Sequence, residues 1–369
     1  MDNFMTDEYY MRRCIALARR GSGRTSPNPL VGCVIVCDGC IIGEGFHQRY
    51  GGPHAEVNAI ASVRNPELLS RSTLYVSLEP CAHFGKTPPC ADRIVSLRIP
   101  RVVIGSPDPN PLVAGKGVAK LRAAGCEVTE GVLRAACDDL NRFFLCHHLK
   151  HRPYVVLKWA QTADGYIDRI RTGETPVGPH WITGEEERRT VHAWRAEMQA
   201  VMVGTNTARA DNPALTVRYP EVQGDDVLPA PTFFPHPLRI VTDGDLRLPA
   251  SLQLFDGTAP TWVVTRRQPS ADWAGSRAAT TAFRLENKGR GWLDSLLELL
   301  DNHSVQSLLV EGGTRLLQSF IEEGVWDEAR VFSGTCVFGE GLPAPALKDA
   351  RLTAGQSFAR SFLSVYCHA

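Results

Sequence analysis

His54-Ala55-Glu56, Pro80-Cys81 and Pro89-Cys90 place an imidazole, a carboxylate and two thiols in three short segments. Any fold that uses them together has to bring those segments to one point. Histidine nitrogen and cysteine thiolate are good ligands for Zn²⁺, and three protein ligands leave the fourth tetrahedral position open to water. A metal in such a site acidifies that water toward neutral pH. A carboxylate two residues after the histidine can stand beside the metal without binding it, and from there carry a proton. The bland alternative is that each cysteine is a small buried hydrophobe and His-x-Glu a coincidence; two Pro-Cys pairs downstream weigh against it.

The order His-x-Glu, Pro-Cys, then a second Cys resembles zinc-dependent deaminases of bases and nucleosides, whose common form has two residues between the cysteines. Here eight intervene, Ala82 to Pro89. Gly85 allows a turn, and Pro88-Pro89 stiffens the approach to Cys90, which opens an expected helix over Ala91 to Leu97. A helix N-terminus favours thiolate over thiol. His83 and Lys86 in the insertion are candidate substrate contacts.

The chain has 369 residues, which suggests two domains. Lys plus Arg and Asp plus Glu number 40 each, so no net field draws in a polynucleotide, and nucleic acid is not an expected partner. No apolar run approaches the roughly 20 residues that cross a bilayer, so no membrane partner is expected either. The acidic, polar start from Met1 to Glu8 is unlike a secretory signal. Eleven cysteines, an odd number scattered through apolar segments, fit a reduced cytoplasmic protein better than a disulfide framework.

Helices and strands alternate through the first half, which predicts α/β layers. Helices are expected at Glu8 to Arg20 and from His54 to about Val63. Strands are expected at Gly32 to Val36, Thr73 to Ser77 and Arg101 to Ile104, with a further helix and strand around Val118 to Val128. Asp38-Gly39 is a hairpin signal leading to Ile41-Ile42. Cys37 and Cys40 flank that turn; without a second pair of the kind they are read as turn cysteines, not a zinc knuckle. The polar, basic run from Cys146 to Pro153 is expected to be a solvated linker. A new strand follows at Tyr154 to Trp159. The proline-rich stretch from Pro229 to Pro237 is expected to be a surface loop. Without a G-x-G-x-x-G after a strand, a Rossmann site is not indicated in the second half. Ser307 to Val310 reads as a strand, Gly312-Gly313 as a close-approach turn, and Thr314 to Glu323 as a helix whose first N–H groups can face a phosphate.

Three longer stretches, Thr25 to Val36, Gly43 to His47 and Leu78 to Cys90, together with Asp108-Pro109-Asn110-Pro111 and Gly115-Lys116-Gly117, resemble one family. It is the bacterial bifunctional pyrimidine deaminase–reductase family of riboflavin biosynthesis, in which the long gap between the cysteines is expected. The resemblance continues through Leu157 to Ala160, Asp164-Gly165, Trp181 to Thr183, Arg195, Asp211 to Arg218 and Val310 to Gly313. It implies a cytidine-deaminase-like three-layer domain at residues 1–147. A dihydrofolate-reductase-like domain is implied at residues 153–369.

The resemblance further implies one Zn²⁺ per chain on His54, Cys81 and Cys90, with Glu56 as proton carrier. The substrate expected is 2,5-diamino-6-(5-phosphoribosylamino)pyrimidin-4-one, contacted by Asn28, His47, His83, Lys86, Asp108 and Asn110. NADPH then reduces the ribosyl side chain of the uracil product to the ribityl phosphate. Lys158, Arg195, Leu215, Arg218 and Glu311 are expected at the reductase substrate, since arginine forks suit phosphate. Ala160, Trp181, Thr207, Asp211 and the run Gly313, Thr314, Arg315, Leu316 and Leu317 are expected at the cofactor. A homo-oligomer is expected.

The second half departs from the family pattern in several places. The segment between Gly165 and Trp181 is long, and Pro179 or His180 stands in place of a substrate-contacting serine. Gly244 replaces a hydroxyl residue, and Ser333 to Gly339 lacks a proline–lysine pair. A zinc deaminase of another base or nucleoside with a diverged or inactive second domain is therefore the rival reading. A zinc-stabilised binding module without enzymatic activity is more distant, because a structural site has four ligands and no use for a carboxylate beside an open position.

Overall fold

The computed structural model describes residues 6–82, 88–110, 114–218, 236–286, 289 and 291–369. Two compact units, 1–151 and 152–369, divide the chain. His83, Lys86 and most of the 229–237 stretch lie outside the described residues.

The first unit runs α1 (Asp7–Arg19), β1 (Gly32–Cys37), β2 (Cys40–Phe46), α2 (Ala55–Ser62), β3 (Thr73–Leu78), α3 (Cys90–Ser96), β4 (Arg101–Ser106), α4 (Lys116–Ala123), β5 (Glu127–Glu130), α5 (Arg134–Leu140) and α6 (Arg142–Lys150). Its sheet has the order β2-β1-β3-β4-β5. The hairpin β1–β2 and the pair β1–β3 are antiparallel, whereas β3–β4 and β4–β5 are parallel. Asp38 (φ 51°) and Gly39 (φ 76°) take the two left-handed positions of the hairpin turn.

Strand alternation divides the core. Cys33, Ile35, Leu74 and Val76 pack with Ala59 of α2 and Ile94 of α3. Val34, Val36, Tyr75 and Val103 pack with Met11 and Cys14 of α1 on the opposite face. The result is three layers, helices on both sides of one sheet.

The expected solvated linker is corrected here. Its first half belongs to α6, with Phe144 and Cys146 buried. Tertiary packing of Phe144 and Cys146 outweighs the polar character of the histidines beside them, because helices in proteins are stabilised mainly by the side chains they bury. The helix stops at His151, whose φ is 51°.

The second unit runs β6 (Tyr154–Gln161), β7 (Tyr166–Asp168), α7 (Glu185–Glu197), β8 (Ala200–Val203), α8 (Thr205–Asp211), β9 (Leu238–Thr242), β10 (Asp256–Thr265), α9 (Ala271–Gly275), β11 (Ala278–Arg284), α10 (Trp292–Asn302), β12 (Ser307–Val310), α11 (Thr314–Glu322), β13 (Glu328–Gly334), β14 (Leu342–Pro343), β15 (Ala350–Ser357) and β16 (Ser361–His368). Nine strands form one sheet, β11-β10-β9-β8-β12-β6-β13-β16-β15. It is parallel from β11 to β13, and β16 and β15 add an antiparallel edge. Leucines of α10 and α11 pack on one face with Leu157, Leu308 and Val310. Val191 of α7 packs with Phe332 and Leu363 in a smaller cluster. This is the dihydrofolate-reductase-like architecture anticipated for the second half.

Candidate metal centre and cofactor cleft

In the first unit the three soft ligands converge. His54 is the N-cap of α2, Cys81 follows β3, and Cys90 is the first residue of α3. His54 Nδ1 lies 3.6 Å from Cys81 Sγ and 3.4 Å from Cys90 Sγ. The three ligand atoms all fall within 4.8 Å of one another. A tetrahedral zinc with ordinary Zn–S and Zn–N bonds sets S···N edges of about 3.6 Å, so the donor set fits that ion in spacing as well as in chemistry.

The start of α3 donates Cys90 N–H to Cys81 Sγ at 3.3 Å. Bonds from Cys90 and His54 help hold the Cys81 thiol well below the ordinary thiol range. The bond to Cys81 and burial push Cys90 up as its partner ionises first. Glu56 is 4% exposed on the first turn of α2. Burial raises its carboxyl to about 7 against the opposing pull of His54.

His47 and Asn28 stand beside this centre. The His47 ring meets that of His54 edge-on, centroids 5.7 Å apart. His47 Nδ1 is 3.0 Å from the Pro53 carbonyl, which can only accept. Asn28 Nδ2 lies 3.1 Å from the other nitrogen, Nε2. Asp108 is buried, and its Oδ1 accepts Asn110 N–H at 2.8 Å in an Asx turn.

In the second unit a cleft of about 1400 Å³ opens over the β6, β8 and β12 ends. Ala160, Trp181, Thr207, Asp211 and Gly313 to Leu317 all line it, as do Lys158 and Glu311. Gly312 (φ 147°) and Gly313 (φ 76°) make the turn into α11, where a Cβ on Gly313 would meet Thr207 Oγ1 at 3.1 Å. Leu317 is fully buried, so its side chain belongs to the core.

At the cleft wall, Glu311 accepts Arg195 Nε at 2.5 Å and Nη2 at 2.9 Å, and Lys158 Nζ lies 3.6 Å away. Burial alone would raise the Glu311 carboxyl, but the charges of Arg195 and Lys158 hold it at about 2. Arg195 is therefore not among the cleft-lining residues; neither are Leu215, which is 2% exposed, and Arg218, which is exposed.

Several residues of the site were not singled out in the sequence. Glu79 is one: its carboxylate accepts four backbone N–H groups, from Asp108, Gly115, Gly117 and Val118. His192, one turn before Arg195, accepts Arg218 N–H at 3.2 Å; burial, then the charges of Arg195 and Arg218, pull it down to about 4. Arg171 in the long segment before Trp181 bonds Asp168 and Asp211 at 2.6 Å each, and His180 bonds Asp168. His180 and Pro179 both line the cleft, and Gly244 lies under Arg266.

A three-layer domain with a His/Cys/Cys centre and a buried glutamate, followed by a reductase-like sheet with a glycine turn at its cleft, defines a two-domain zinc deaminase–reductase. Residues 5–106 match the family described as "Cytidine and deoxycytidylate deaminase zinc-binding region", and residues 153–357 match "RibD C-terminal domain". The riboflavin biosynthesis protein RibD of Aquifex aeolicus is 41% identical over 344 residues, 91% of this chain and 89% of that one. The Actinobacillus pleuropneumoniae protein of the same name is 44% identical over 326 residues, 87% of this chain and 81% of that one. A solved Thermotoga maritima diaminohydroxyphosphoribosylaminopyrimidine deaminase/5-amino-6-(5-phosphoribosylamino)uracil reductase superposes with TM-score 0.84 at 35% identity. The superposition covers 98% of this chain and 99% of that chain. The chain belongs to the RibD family of riboflavin biosynthesis enzymes.

Proposed function

We propose that residues 1–147 deaminate 2,5-diamino-6-(5-phosphoribosylamino)pyrimidin-4-one and that residues 153–369 reduce the deaminated product with NADPH. The observation that carries the reading is the meeting of His54 Nδ1, Cys81 Sγ and Cys90 Sγ beside a buried Glu56. The rival of a binding module has no use for that carboxylate. The rival of a decayed second domain is disfavoured by the cleft, which keeps its glycine turn and its buried Lys158–Glu311–Arg195 cluster.

His54, Cys81 and Cys90 hold the zinc, which when bound supplies a Lewis acid that activates a water molecule. Glu56, buried beside the three ligands, takes the water proton and returns it to the departing amine. Asn28, His47, Asp108 and Asn110 contact the base and the ribose phosphate group. His83 and Lys86 are assigned to the same substrate from the family motif.

In the second domain the glycine turn and the first N–H groups of α11 receive the cofactor, which supplies the hydride. Ala160, Trp181, Thr207 and Asp211 form its walls. Lys158, held by Glu311, faces the ribosyl group. Arg195 acts by orienting Glu311 from outside the cleft, and Leu215 and Arg218 are assigned to the substrate from the family motif alone. The eleven free cysteines support a reducing, cytoplasmic setting, and the protein works as a homo-oligomer without nucleic-acid or membrane partners.

The test is sequential. Zinc-loaded protein should release ammonia from the diaminopyrimidinone, and NADPH added afterwards should be oxidised. Chelation should abolish the first step while NADPH oxidation on pre-deaminated substrate persists. No ammonia release from loaded protein would overturn the deaminase assignment, and no NADPH oxidation the reductase one.

A further inference from the structure

We infer that Glu79 is a positioning residue for the deaminase substrate, acting as a carboxylate clamp that ties the Asp108–Asn110 turn and the start of α4 to the metal-bearing strand end. The inference rests on the deaminase reading above. Glu79 is 4% exposed and lies two residues before the ligand Cys81. Its Oε2 accepts Gly115 N–H at 3.0 Å and Asp108 N–H at 3.4 Å. Its Oε1 accepts Gly117 N–H at 3.0 Å and Val118 N–H at 3.3 Å. Four backbone donors thus converge on one carboxylate.

That pattern explains several local choices at once. The first N–H groups of a helix have no partner within the helix. The N-cap of α4 is Gly115, at φ 71°, and it offers no side chain to satisfy them. Glu79 does so from another strand, and its charge suits the positive end of the helix. Gly117 is the matching concession: a Cβ there would come within 2.1 Å of the Pro80 carbonyl oxygen. Backbone packs against backbone, so the start of α4 sits directly on the Glu79-Pro80 segment that leads to Cys81.

The clamp continues to the substrate side. Glu79 fixes the Asp108 backbone, and the Asp108 carboxylate fixes the Asn110 backbone at 2.8 Å. Glu79 N–H also donates to the Ser106 carbonyl at 2.9 Å, extending the β3–β4 pairing to the root of this turn. The Glu79 side chain thus adds to these backbone links a side-chain tie between the metal-bearing segment and the Asp108–Asn110 turn. A glutamine of the same shape keeps one acceptor oxygen but turns an NH₂ toward two N–H donors, so the turn loses its register while the ligand set stays.

The experiment uses the full-length, zinc-loaded chain and compares wild type with Glu79→Gln and Gly117→Ala. It reads zinc content, KM and kcat for ammonia release, and NADPH oxidation on pre-deaminated substrate as an internal check on the second domain. Wild-type ammonia release establishes the underlying reading separately. Glu79→Gln is expected to keep one zinc and unchanged NADPH oxidation, while KM rises roughly tenfold or more and kcat falls less than about threefold. Gly117→Ala disturbs the same clamp from the other side and should show the same split; it also serves if Glu79→Gln does not fold. An unchanged KM in either folded variant overturns the inference. Loss of zinc with kcat and KM changing together overturns it too, because that places Glu79 in support of the metal and not of the substrate turn.

Discussion

Asn28 Nδ2 lies 3.1 Å from His47 Nε2, and this contact fixes which nitrogen of the histidine carries hydrogen. The opposite nitrogen faces the Pro53 carbonyl, so Nδ1 donates and Nε2 accepts. Burial lowers the pKa of the ring and so favours its neutral form. An imidazole oriented in this way beside His54 supports the proposal that His47 is a wall against the planar base.

Asn28→Ala removes the donor and leaves Nε2 of a buried ring unpaired. A buried acceptor without a partner costs about 1–3 kcal/mol, and the ring is then free to turn. KM for ammonia release is expected to rise roughly tenfold at unchanged zinc content. Metal analysis beside steady-state kinetics checks this; a parallel loss of zinc would show that the pair supports the metal instead.

Glu56→Gln is expected to retain zinc and lose turnover by roughly 10²–10⁴, the usual worth of general acid–base catalysis. The side chain is buried on the first turn of α2, so an isosteric amide fits without repacking. Single-turnover ammonia release at matched zinc content is the measurement. Turnover within a few-fold of wild type would remove Glu56 from proton transfer.

Much of this was open to sequence reasoning, and the boundary is physical. The short, continuous apolar runs in Gly32–Cys37 and Thr73–Leu78 report strands buried on both faces, and Cys33 and Ile35 indeed go to one layer and Val34 and Val36 to the other. The soft ligands are recognisable by type and spacing. Partners that come from remote segments are not. Arg195 reads as a phosphate binder by residue type, yet Glu311, 116 residues away, already holds its guanidinium. Glu79 carries no local mark, because its four donors come from the turn after β4 and from α4. The run from Cys146 misleads because its charged residues are conspicuous, while the buried Phe144 that anchors the same helix lies just before it.

Acid should loosen the second domain in two stages. His192 falls from an ordinary value of 6.5 to about 4 in the folded chain, so the unfolded chain binds its proton first. The stability this contributes is present above pH 6.5 and is lost as pH falls toward 4. Glu311 falls from 4.5 to about 2, so its contribution is lost between those values. All seven tryptophans, from Trp159 to Trp326, lie in the second unit. Their fluorescence during urea unfolding therefore reports this domain selectively. The midpoint should decline from pH 6.5 to 4 and again below 4.5; a midpoint constant from pH 6.5 down to 4 would contradict the His192 environment.

Gly313→Ala addresses the cofactor turn. Gly313 has φ 76° and ψ 116° at the N-cap of α11, a conformation that an L side chain rarely adopts. The added Cβ would also stand 3.1 Å from Thr207 Oγ1, a second wall of the same cleft. Relief requires the turn to rotate, which moves the first N–H groups of the helix away from the cleft. Strain of this kind costs about 1–3 kcal/mol, so KM for NADPH should rise roughly tenfold or more. Leu316 and Leu317 keep the helix body anchored in the core, and the variant should therefore fold. Ammonia release by the first domain is expected at the wild-type rate in the same preparation. NADPH oxidation with unaltered KM would place the cofactor elsewhere in the cleft, away from the glycine turn.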